Sequence, residues 1–217
     1  MKLRLILTSA LIISIFTCFS QDDNEYIKFK NEGNAAYRNK DYQKALDSYE
    51  ASLQAWPPDE IMDAAMVFLA ADCARRLKDD EKSLLYYTRS LELDYKSDNS
   101  AFYMAQALKS LDREEEMEML LLRSIEAYKT SNVLGHMKKM LVTHYLQKGA
   151  EHYNRASQIL ASATGADPSQ YGEIENRANE SFAEAKPWFE KALEHDANNE
   201  NAVSSLKQIN SRLNEKK

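Results

Sequence analysis

Three histidines, His136, His144 and His152, recur at intervals of eight residues. Metal ligation from one helix needs imidazoles one turn apart on a shared face. Eight residues turn a helix about 80° past two full turns and separate the rings by about 12 Å, so these three are not one ligand set. Cys18 and Cys73 are the only cysteines, and they form no Cys-x-x-Cys pair for zinc or electron transfer. His-Glu-x-x-His, Gly-x-Ser-x-Gly and glycine-rich phosphate loops are absent from the sequence. Acidic residues are plentiful, 34 Asp and Glu, but carboxylates strung along charged helices are solvated surface sooner than a general acid and base. The expectation is a non-catalytic chain with no cofactor and no metal.

Composition narrows the elements that position everything else. Glycine (5) and proline (4) are 9 of 217 residues, about a third of average usage. That excludes a many-stranded sandwich or barrel, and the missing glycine-rich loop argues against a strand-helix-strand nucleotide fold. Hydrophobic residues at 44% exclude simple disorder, and a mean hydropathy of -0.60 excludes a multi-span membrane protein. An all-α fold remains. The net charge is -6; without Lys2 and Arg4 it is 26 cations against 34 acids, or -8. Such a chain is a poor ligand for phosphate backbones, so no nucleic acid partner is expected.

Residues 1–20 read as a signal peptide. Lys2 and Arg4 open it, an apolar run from Ile6 to Phe16 follows, and Cys18 and Ser20 stand at minus three and minus one of a cut before Gln21. Export to the periplasm or outside the cell is the expectation. Ile15-Phe16-Thr17-Cys18 also resembles a bacterial lipoprotein signal, in which Cys18 would carry the lipid and tether the chain to a membrane. After a cut at residue 20 only Cys73 remains, among Ala70, Ala71 and Ala74; it reads as a buried thiol with no disulfide partner.

The rest repeats. Ala45/Tyr49/Ser52/Leu53, Ser83/Tyr87/Ser90/Leu91, Met117/Leu121/Ser124/Ile125 and Ala185/Phe189/Ala192/Leu193 share steps of four, three and one, which place each set on one helical stripe. The step from Met117 to Ala185 is twice that from Ser83 to Met117, and the step from Ala45 to Ser83 is only slightly longer than the latter. Before each of the first three sets lies a second helical pattern: Phe29, Gly33, Ala36 and Tyr37; Val67, Ala71 and Ala74; Ala101, Ala105 and Leu108. Gly33, Ala71 and Ala105 are small enough to let an antiparallel helix approach, with Tyr49, Tyr87 and Leu121 filling the space beside them. Asp41, Asp59, Asp98 and Asp112 stand where N-caps are expected, and Glu114–Glu116 in a first turn.

On these residues the chain resembles the tetratricopeptide-repeat family, with repeats at about 26–59, 64–97 and 98–131. Repeat one matches at Phe29, Gly33, Tyr37, Ala45, Tyr49, Ser52 and Pro57. The resemblance implies helical hairpins stacked into a right-handed superhelix, a solenoid with a concave groove lined by the first helix of each repeat. It places Lys30, Asn34, Tyr37, Arg38, Phe68, Asp72, Arg75, Arg76, Phe102, Gln106 and Lys109 in that groove. Five cations and one acid with aromatics between them suit an acidic peptide or a C-terminal carboxylate. One subfamily grips the carboxyl terminus of cytosolic chaperones; Lys30 and Asn34 match its clamp, but Leu69, Asn99 and Tyr103 do not, and that function is not carried over.

Between 132 and 199 the rhythm fails. Met137, Leu141, Tyr145, Gly149, Tyr153, Ala156, Leu160 and Ala163 continue at threes and fours, which predicts one long helix over 132–163, with Gly149 costing about 1 kcal/mol relative to alanine. Asp167-Pro168 starts a return helix running to about His195, bent at Pro187. The stretch is read as an elongated fourth hairpin or as two degenerate repeats. Residues 200–213, capped by Asn199, form a closing helix, with the rest of 200–217 as tail. Two functions follow: a scaffold or recognition module of the periplasm or cell envelope, binding a partner protein or acidic peptide in the groove; or a self-associating or lipid-anchored assembly subunit that uses the long hairpin.

Overall fold

The computed structural model describes residues 25–214; the expected signal peptide, with Cys18, lies outside them. Among the described residues nine α-helices follow one another: α1 Glu25–Arg38, α2 Tyr42–Gln54, α3 Ala64–Leu77, α4 Asp80–Glu92, α5 Ser97–Ser110, α6 Glu114–Ala127, α7 Leu134–Ala161, α8 Tyr171–His195 and α9 Glu200–Asn214. There is no strand among these residues, and no helix among them is long and apolar enough to cross a membrane. The helices pair in antiparallel hairpins that stack into a solenoid, with α7 and α8 as an elongated hairpin and α9 as the closing helix. At 28 residues, α7 is about 42 Å long.

The small-against-large matching sets the spacing. A Cβ added to Gly33 would sit 2.6 Å from the Tyr49 ring, so α1 and α2 meet at backbone distance. Tyr49, Tyr87, Leu121 and Phe189 are buried, as are Ala71, Ala105, Ala185 and Ala192. A ring or leucine removed from water there contributes roughly 1.5–3 kcal/mol. Gly149 has the same role: its missing Cβ leaves room for Phe189, 2.9 Å away. Its cost in helix propensity therefore has a packing return.

Turn chemistry differs from the expected caps. Asp41, Asp63 and Asp79 cap α2, α3 and α4 by accepting from the amides of Lys44, Met66 and Lys82. Asp59 does not cap: Trp56-Pro57-Pro58 leads into a longer connection, and α3 begins only after Asp63. Asp98 lies inside α5 and accepts from Asn99 and Ser131. Asp112 is one residue early. It is left-handed at φ 55°, as Lys40 and Lys78 are at φ 61° in the preceding hairpin turns, and Arg113 takes the cap position. Asn199 caps α9 through the Ala202 amide. Asp167 caps a single 3₁₀ turn, Pro168–Gln170, ahead of α8.

The helices form two layers. Odd-numbered helices touch one another through Tyr37 and Asp72, Arg75 and Tyr103, and Phe102 and His136. Even-numbered helices do so through Glu50 with Lys82 and Tyr86, and through Glu118 with Lys191. Cys73 is wholly buried between them; burial pushes its thiol up to about 12, which leaves it protonated and unreactive.

Candidate binding groove

The eleven residues expected to line the groove all lie on α1, α3 and α5. Asp72 is the hub. It is 5% exposed and accepts from the Tyr37 hydroxyl at 2.6 Å, from Arg76 Nε at 2.6 Å and from the Arg75 guanidinium. Burial alone would raise its pKa, but the bonds from Arg76, Tyr37 and Arg75 outweigh it and hold the carboxyl below the usual range. Tyr37 responds in the opposite sense: burial, then the neighbouring carboxylate, push its hydroxyl up to about 12. This clamp ties α1 to α3.

The hub changes the electrostatic reading. Arg75 and Arg76 share one carboxylate, and Lys30 forms an ion pair with Asp63 at 3.0 Å. Asn34 accepts from the Tyr49 hydroxyl at 2.9 Å and thus braces its own hairpin. Arg38 and Lys109 are exposed, and Gln106 is half-buried. Phe68 and Phe102 are joined into a row through Tyr87 and Tyr103, while Tyr37 packs on Tyr42. Phe68 meets Tyr87 and Tyr95 edge to face, and Phe102 lies against Tyr103 and His136. Cations cover several rings: Arg75 over Tyr103, Arg76 over Tyr42 and Lys96 over Phe68, at 4.6, 4.8 and 4.7 Å.

Tyr42, Asp63, Lys96 and Tyr103 also belong to this network, and sequence reasoning does not assign them to it. The arginines three and four residues after Asp72 are a visible helical signal. The contacts from Tyr37 and Tyr42, 35 and 34 residues distant, are not.

Farther along, α7 and α9 flank a cleft of about 460 Å³ lined by Thr143, Gln147, Tyr153, Asn154, Asn201 and Ser204 among others, none of them charged. The three spaced histidines go separate ways: His136 to Phe102, His144 to Glu118 at 3.6 Å and His152 to Glu184 at 3.0 Å. Among the described residues, no three His, Cys, Asp or Glu side chains come together to hold a metal.

No protein-family model matches the chain, and no curated protein matches it by sequence. Solved structures do. A TPR repeats protein from Bacteroides fragilis superimposes with a TM-score of 0.54 at 17% identity, covering 87% of this chain and 99% of that one. A protein from Bacteroides ovatus, described as protein binding, superimposes with a TM-score of 0.50 at 10% identity, covering 88% and 98%. Paired antiparallel helices, small-against-ring contacts and these superpositions agree: the chain has the fold of the tetratricopeptide-repeat proteins.

Proposed function

We propose that the odd-numbered layer is a binding groove for an acidic segment of a partner protein, and that the chain is a non-catalytic scaffold of the periplasm or cell envelope. The observation that carries this reading is the division of charge. Counting Asp, Glu, Lys and Arg, helices α1, α3, α5, α7 and α9 have net charges of +1, +1, 0, +3 and +1, in total +6. Helices α2, α4, α6 and α8 have -1, -1, -4 and -3, in total -9. A chain of net charge -6 thus has a net positive odd-numbered layer and a net negative even-numbered one. Exposed Arg38 and Lys109 supply attraction there, and the aromatic row supplies apolar contact. The signal-like leader supports export, with Cys18 lipidation as the route to a membrane tether.

Arg75 is unsuited to a charge-reversal test because it belongs to the Asp72 clamp. Arg38→Glu with Lys109→Glu leaves the clamp intact. Fluorescence anisotropy with a labelled deca-glutamate peptide is expected to show binding that weakens at least tenfold in the double variant and falls with salt. Equal binding by both proteins, or no binding by either, overturns the acidic-segment reading.

A further inference from the structure

The even-numbered layer has a feature the groove does not use. Of seven exposed large apolar side chains among the described residues, three, Leu85, Met119 and Leu122, lie on α4 and α6. Leu85 and Met119 are separated by the same step as Ser83 and Met117, so they hold one register on successive outer helices. Leu122 lies one turn beyond Met119. Acids border the stripe, Glu81 four residues before Leu85, Glu115 four before Met119 and Glu126 four after Leu122, and outnumber the cations at the same spacing, Arg89 four after Leu85 and Arg123 four after Met119. Leu85 is 59% exposed and Met119 51%, so both present apolar surface to a partner.

The geometry points to a second copy of this chain as the occupant: we infer that the acidic, apolar stripe of α4 and α6 in one copy seats in the cationic, aromatic odd-numbered layer of the next. Both halves of the match are present in one molecule, with -9 on the even-numbered helices and +6 on the odd. Leucine and methionine side chains meet the Phe68, Phe102 and Tyr103 rings, and Glu81, Glu115 and Glu126 meet Arg38, Lys96 and Lys109. The two surfaces differ, so the contact is heterologous and leaves an unused groove at one end and an unused stripe at the other. Copies therefore add head to tail, without a fixed end size. This inference rests on the groove reading above and names one partner for it.

Sedimentation velocity on the protein, purified as its naturally processed product, tests it between about 1 and 200 µM. At about 50 mM salt the mean mass is expected to grow with concentration, and at about 500 mM salt the association is expected to weaken at least tenfold, since the Debye length shrinks severalfold. Glu115→Lys with Met119→Lys removes the stripe, and Arg38→Glu with Lys109→Glu removes the groove; all four side chains are exposed, and circular dichroism verifies that each variant is folded. Each variant alone is expected to stay monomeric. An equimolar mixture is expected to stop at dimers, because one intact stripe then meets one intact groove. A wild type that stays monomeric at low salt overturns the inference, as does association that both variants retain. Deca-glutamate binding separates this failure from that of the groove. A monomeric wild type that still binds the peptide loses the second copy as partner and keeps the groove, whereas one that binds nothing loses both.

Discussion

The first hairpin and the fourth are built on the same contacts at very different lengths. In α1–α2, Gly33 faces the Tyr49 ring; in α7–α8, Gly149 faces the Phe189 ring across a much longer excursion of the chain. A second pair recurs at matching offsets. Tyr37 meets Tyr42 edge to face at 5.8 Å, and Tyr153 meets Phe182 edge to face at 5.1 Å. Each second ring also has a guanidinium over it from the next odd-numbered helix, Arg76 over Tyr42 and Arg212 over Phe182. The two hairpins thus share these ring contacts, and α7 and α8 run on beyond them for longer than α1 and α2 do, at the far end of the hairpin. The hairpin's register is set where a small residue meets a ring, and helix length is free to vary beyond that point.

The largest effects are expected at the rings. Tyr49→Ala and Phe189→Ala each empty a buried site and are expected to cost about 3–5 kcal/mol in denaturant unfolding. Tyr49→Ala is the costlier of the two because the Tyr49 hydroxyl also donates to Asn34; Tyr49→Phe isolates that bond at about 1 kcal/mol. A loss below about 1 kcal/mol for Phe189→Ala, beside several for Tyr49→Ala, would break the equivalence of the two hairpins.

The glycines give a smaller and finer test. A methyl at Gly33 meets the Tyr49 ring at 2.6 Å, and one at Gly149 meets Phe189 at 2.9 Å. Overpacking of this kind costs about 1–3 kcal/mol, and replacing a helical glycine by alanine returns about 1 kcal/mol. Gly33→Ala is therefore expected to be net destabilising by about 1 kcal/mol, and Gly149→Ala by less. The order of the two unfolding midpoints is the measurement; a reversed order contradicts the closer approach of α1 to α2.

Periodicity makes much of this readable in advance. Tyr49, Tyr87 and Leu121 repeat at nearly constant steps, and the end of α8 at His195 follows from the same pattern. Gly149 reads in the sequence only as a cost, because Phe189 lies much farther along the chain from it than Tyr49 does from Gly33, outside the step that repetition reveals. The groove suffers for a related reason. Residue type marks Arg75, Arg76 and Lys30 as cations, but whether they face a ligand or an internal carboxylate depends on Asp72 and Asp63, and sequence spacing connects Lys30 to Asp63 no better than to many other acids. The cap expected at Asp112 falls one position later, since a left-handed position next to a cap also favours aspartate.

An effect no larger than that of Gly33→Ala is expected from shortening the fourth hairpin to the length of the first. Deleting residues 158–181 brings Gly149 and Phe189 to the same sequence spacing as Gly33 and Tyr49. Arg155, Ala156 and Ser157 then occupy the places of Asn39, Lys40 and Asp41. Ser157 is a good N-cap, and Ala156→Gly meets the left-handed demand that Lys40 satisfies at φ 61°. What is lost is the buried Ala178 and Ser181 and the bond that Arg212 Nε of α9 donates to Asn179; the Tyr153–Phe182 and Gly149–Phe189 contacts stay. The shortened chain is expected to fold, to lose helical ellipticity in proportion to the length removed, and to melt within about 4 °C of the parent, equivalent to about 1 kcal/mol at this size. A collapse of cooperative melting would mean that the tip holds the repeat together, and that the likeness between the two hairpins is one of shape without shared energetics.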